Sequence, residues 1–156
     1  MTTQTFFTSE VPRILHHELN GELRPLWGSM TLEQMLMHLN AGLQLSMLDE
    51  ERTIAIPEDK IERYKAFLRS SKPFPRSAPK PEDYKRFEED AGSWEDARDQ
   101  LEETIRRWEE FQSARPDFSS IHPSFGRLDH DHWKHLHVKH FRHHFAQFGL
   151  IENYEG

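Results

Sequence analysis

HDHWKHLHVKHFRHH, residues 130–144, carries seven of the chain's eleven histidines and reads as the last helix of the fold. FAQFGL follows it and the run lies deep in the chain, so it is no purification tag. At about 100° per residue, Trp133, Leu136, His137, His140, His144, Gln147 and Phe148 share one side of this helix. His132, His135 and His143 point elsewhere, and solvent is their expected environment. Histidines on a face that should be apolar need partners, because buried imidazole nitrogens left unpaired are costly. His140 and His144 stand one above the other, roughly 5–6 Å apart at Cβ, so both can reach one ion. His137, one turn earlier, reads either as a supporting partner or as a further ligand.

Working back along the chain, three more strong helices emerge. Ser93 caps a long one in which Trp94, Ala97, Leu101, Ile105, Trp108 and Phe111 keep the three-four spacing of one buried face. Thr31 with Gln34 reads as a capping box opening another, with Leu32, Met35, Leu36, Leu39 and Leu43 as its apolar stripe. His38 lies on the shoulder of that stripe. The first helix is expected from about Ser9 to Leu19, with Pro12 tolerated in its first turn. PEDKIERYKAFLR, residues 57–69, suggests a further helix with proline at its start. SSKPFPRSAPKPEDY, residues 70–84, carries four prolines and must be an extended connection. HPSFGRLD, residues 122–129, reads as a loop ending in the Asp129 cap, and no segment sustains period-two alternation. The expected architecture is all-α: one domain over residues 1–156, a four-helix bundle with a long crossover.

Composition narrows the function. The chain of 156 residues is long enough for one sizeable core, and its 30% charged residues suit amphipathic helices with solvated outer faces. A formal charge of −7 argues against nucleic acid as the main partner. Without cysteine there is no disulfide, thiolate ligand or cysteine nucleophile. No apolar run approaches the roughly 20 residues of a membrane span, and no signal-peptide core opens the chain, so a soluble cytoplasmic protein is expected.

Two histidines on one helix supply only part of a coordination sphere; a catalytic divalent ion takes about three protein ligands and keeps a position open. His38 is the natural third candidate, with His16 and His17 as rivals on the first helix. The four tryptophans, Trp27, Trp94, Trp108 and Trp133, read as core more than as a substrate platform. The pattern His-Glu-x-x-His is absent because Phe141 follows His140, and no general base is identifiable.

WGSMTLEQMLMHL, residues 27–39, and HPSFGRLDHDHWKHLHVKHFRHHFAQFGL, residues 122–150, resemble the DinB/YfiT-like superfamily, in particular an uncharacterised bacterial branch. The KPFPRSAPKP loop, residues 72–81, shares in the likeness. The resemblance implies a DinB/YfiT-like four-helix bundle with a three-histidine site for zinc or nickel. It points to His38, His140 and His144 as ligands, with Gln147 following the pair as a contributor of hydrogen bonds. It further implies a metal-dependent enzyme acting on a small-molecule substrate, a thiol-dependent S-transferase using bacillithiol, mycothiol or glutathione. A metal-dependent hydrolase and a non-catalytic metal- or ligand-binding bundle stand as alternatives. Related bundles often pair through helix faces, so a homodimer is expected.

Overall fold

The computed structural model describes residues 5–76 and 82–152. Helix α1, Val11–His17, continues from a π-helical turn over Phe6–Glu10 and carries Pro12 in its first turn. Helix α2, Leu32–Ser46, opens on the expected capping box: Gln34 N–H donates to Thr31 Oγ1 at 3.1 Å and Thr31 N–H donates to Gln34 Oε1 at 2.9 Å. Helix α3, Ile61–Arg69, is short and buries only Leu68. Helix α4, Trp94–Ala114, starts where Asp96 N–H donates to the Ser93 hydroxyl at 3.1 Å. Helix α5, His130–Gln147, starts where His132 N–H donates to Asp129 Oδ1 at 2.9 Å.

The expectation of an all-α four-helix bundle is corrected in two respects. Among the described residues there are five α-helices, and between α4 and α5 the chain forms an antiparallel hairpin of β1, Ser119–His122, and β2, Gly126–Asp129. The strands pair Ser119 with Asp129, Ser120 with Leu128, Ile121 with Arg127 and His122 with Gly126. Four residues per strand are too few for alternation to rise above the surrounding sequence, and Pro123 at the turn made the stretch read as a loop. Its register is set by burial: Ser120 accepts from Trp133 Nε1 at 3.0 Å and donates to the Ser46 carbonyl at 3.1 Å, tying the hairpin to both α5 and α2. The proline-rich connection is described only to residue 76; residues 77–81 of the expected crossover lie outside the described part.

The main apolar cluster joins α1, α2, α4 and α5, with Met35, Leu36, Leu39, Leu101 and Phe141 essentially dry. Phe7 fixes the entry of the chain by meeting Trp108 at 5.0 Å and Phe141 at 5.2 Å in edge-to-face contacts. A second cluster of Leu68, Leu128, Trp133 and Leu136 lies under α3 and the hairpin. A third, of Ala41, Leu45 and Tyr84, covers the other flank of α2. Beyond its apolar contact in the second cluster, the C-terminal end of α3 is tied to α5 through Lys139: its Nζ donates to the Ser70 carbonyl at 2.9 Å and to that of Lys72, over the face of Phe67 at 4.5 Å. Burial lowers the Lys139 pKa to about 8. No helix among the described residues is long and apolar enough to cross a membrane.

Candidate metal centre

His38 from the middle of α2 meets His140 and His144 from the last turns of α5. The three are buried, at 5%, 6% and 7% exposure. His38 Nε2 and His140 Nε2 lie 2.9 Å apart, and one nitrogen from each ring falls within 4.8 Å of the others. Two opposed metal–nitrogen bonds of about 2.0–2.1 Å each span roughly 4.1 Å, so small side-chain adjustments bring all three onto one ion.

Each ring's other nitrogen says whether this is a pair of hydrogen-bonded rings or a ligand set. His38 Nδ1 lies 2.7 Å from Glu88 Oε1; a carboxylate can only accept, so Nδ1 carries the hydrogen and Nε2 presents a lone pair to the cluster. His144 Nδ1 likewise donates to Gln147 Oε1 at 2.7 Å, leaving Nε2 unprotonated. Gln147 is fixed in turn, its Nε2 donating to the Trp27 carbonyl at 3.0 Å. This is the arrangement that orients ligating imidazoles in metal sites. His140 Nδ1 has no hydrogen-bond partner among the described residues. Burial, then the neighbouring His38 and His144, push the His140 pKa well below 6.5, and burial followed by His38 lowers His144 to about 3. Both rings are therefore neutral near pH 7, the form that binds a cation.

Two glycines make room. A Cβ on Gly42 would sit 3.2 Å from His140 Nδ1 and 3.3 Å from Tyr84 Oη, so the bare backbone lets that ring and hydroxyl approach α2. Gly28 has φ +78°, and a Cβ there would meet Gln147 Nε2 at 2.9 Å. The Leu26 N–H also donates to the Gln147 carbonyl at 2.7 Å, so this loop grips the end of α5 twice.

The cluster opens on a cavity of about 890 Å³ between α2, α3, α5 and the loop after α3. Trp27, Phe67, Phe74 and Phe125 supply apolar wall, and Tyr84 sits beside the histidines, its ring 5.0 Å from His38 and 5.8 Å from His140. Burial, with a smaller push from the Glu88 charge, raises the Tyr84 pKa well above the usual phenol range, so it stays an O–H donor. Among the described lining residues there is no aspartate or glutamate.

The remaining sequence candidates fall elsewhere. His137 is fully buried and its Nε2 donates to Ser46 Oγ at 3.0 Å, while Ser46 donates onward to the Leu43 carbonyl; it stacks on Trp133 as a core residue outside the ligand cluster. His16 pairs with Glu102 at 2.6 Å on the surface. His132 and His135 are half-buried rather than fully solvated, and His143 lines the cavity against Trp27 and His144. Trp108 and Trp133 belong to the core, whereas Trp27 is cavity wall. Glu88 and Tyr84 were missed by sequence reasoning: Tyr84 ends the proline-rich connection and Glu88 follows it, and nothing in their spacing shows that this segment folds back onto α2.

No curated protein and no solved structure matches the chain. The resemblance to the DinB/YfiT-like superfamily is not upheld, because the family that matches is a different one. A helix bearing one histidine and a facing His-x-x-x-His helix are a general way to build a metal site in a helical scaffold, so those stretches do not by themselves mark one particular family. Over residues 13–149 the chain matches the family described as a protein of unknown function, DUF1569, and it belongs to that family.

Proposed function

We propose that this protein is a divalent-metal-dependent enzyme in which His38, His140 and His144 hold zinc or nickel, and that it transfers a low-molecular-weight thiol to an electrophilic small molecule. The observation behind the reading is the convergence of three buried imidazoles, two of which already have the outward nitrogen tied to Glu88 and Gln147. A bound ion would supply Lewis acidity, lowering the pKa of a thiol or water at its open position.

The chain's own residues do the rest. Glu88 and Gln147 hold the His38 and His144 rings in orientation and raise their basicity. The Tyr84 hydroxyl remains protonated and stands ready to donate to charge developing beside His38 and His140. Trp27, Phe67 and Phe74 narrow the space and limit water. In the net reaction the thiol gives its proton to solvent and its sulfur bonds to the electrophilic carbon. With a halide the leaving group departs with the electron pair of the bond that breaks; with an epoxide the ring oxygen keeps that pair and takes up a proton from solvent.

A thiol is preferred to water because a thiol ionises far more readily than water without help from a neighbouring base. The reading places the enzyme in the cytoplasm, where small thiols stay reduced. It is tested by assaying zinc- and nickel-loaded protein with glutathione, cysteine and other thiols against an aromatic halide and an epoxide, with ester hydrolysis in parallel. Metal-dependent thioether formation that His140→Ala abolishes is the expected result. Turnover of esters alone makes it a hydrolase, and no turnover on any substrate makes it a binding protein.

A further inference from the structure

Resting on the reading of this cavity as the active site, we infer that its substrate is an organic anion, with an aromatic body among Phe67, Phe74 and Phe125 and its negative group at Arg63, Lys72 and Arg76. The chain holds 27 acidic against 20 Lys and Arg residues, yet the described lining of the cavity contains these three cations and no carboxylate. That reversal of sign, in a cleft with low-dielectric walls, focuses a field that attracts anions. All three cations are exposed at the mouth, and none has an ion-pair partner among the described residues.

Their placement is specific. Arg63 comes from α3, and Lys72 and Arg76 come from the loop after it. The Arg76 guanidinium carbon lies over the Trp27 ring, 3.8 Å from its centroid, a cation–π contact that places this charge on the cavity wall. The Trp27 carbonyl accepts from Gln147, which accepts from His144, so this cation is linked through two side chains to the metal cluster. Phe74 meets Phe67 at 5.8 Å and Phe125 at 6.4 Å, building an aromatic wall between the mouth and His140, whose ring is 6.5 Å from Phe74. At about 890 Å³ the cavity is large enough for a bicyclic ring and a second reactant.

Calorimetric titration of the full chain, zinc-loaded and metal-free, with 2-naphthoate, 2-naphthyl phosphate and neutral 2-naphthamide tests the inference. At least one anion should bind on the order of tenfold or more tighter than the amide. The combined variant Arg63→Ala, Lys72→Ala, Arg76→Ala should lose that preference while its circular dichroism melt is unchanged, and Arg76→Gln alone should lose part of it. The tighter of the two anions identifies the charged group as carboxylate or phosphate. Equal binding of amide and anions overturns the inference, as does an anion preference that the combined variant retains. Failure of the wild type to bind zinc would defeat the metal reading alone, since the anion preference is read separately in metal-free protein.

Discussion

Glu88 decides which nitrogen His38 offers, and Gln147 does the same for His144. Removing either should leave the helices intact and weaken metal binding. Glu88→Ala and Gln147→Ala are each expected to raise the zinc Kd by about 10–100-fold, measured by competition with a chelating dye. Gly28→Ala should act in the same direction through Gln147, because its added methyl meets the amide and strains a positive-φ backbone. An unchanged Kd in all three would mean that the imidazoles orient themselves. Much of this site was legible in the sequence: a histidine on the shoulder of an apolar stripe and a His-x-x-x-His pair on an apolar face are costly unless partnered, which is why His38, His140 and His144 stood out. Glu88 and Tyr84 were not legible, since their approach depends on the return of the chain after the proline-rich connection and on no local periodicity.

Among the elements, α2, α4 and α5 form where the spacing of apolar residues and the caps at Thr31, Ser93 and Asp129 place them. Thr31→Ala removes one side of the capping box and should cost about 1 kcal/mol in chemical denaturation. Leu36→Ala, at the dry centre of α2, should cost about 2–5 kcal/mol in the same experiment. Helix α3 buries one residue, and its C-terminal end is tied to Lys139. Lys139→Met is expected to raise amide hydrogen exchange across residues 61–72 while α2 and α4 stay protected. Uniform exchange in the variant and wild type would show that α3 is held by its apolar contacts alone. The hairpin escaped the sequence reading for a matching reason: its order comes from Ser120 and Leu128 packing inward, which is tertiary information.

For the whole molecule, buried neutral histidines tie stability to pH. His122 is buried, accepts from the Ser124 N–H at 3.0 Å, and has its pKa lowered to about 3 by burial and by the Arg52 charge. Well above pH 6.5, its ordinary value, neither the folded nor the unfolded chain is protonated there, and burying His122 carries no proton-linked cost. As pH falls from there towards 3 only the unfolded chain takes up the proton, so stability drops by about 1.4 kcal/mol per pH unit for this residue. Denaturation of metal-free protein at pH 7.5, 6 and 5 should therefore show a steep decline, shallower in His122→Asn. An identical slope in the variant would remove His122 from the account.

The most direct test of the central claim is calorimetric titration of metal-free protein with zinc and with nickel, beside His38→Ala, His140→Ala and His144→Ala. The account predicts one ion per chain in the wild type, and loss of that binding in each variant while the metal-free melting temperature still reports a folded protein. A wild type that takes up neither ion, or three folded variants that bind as the wild type does, would contradict it.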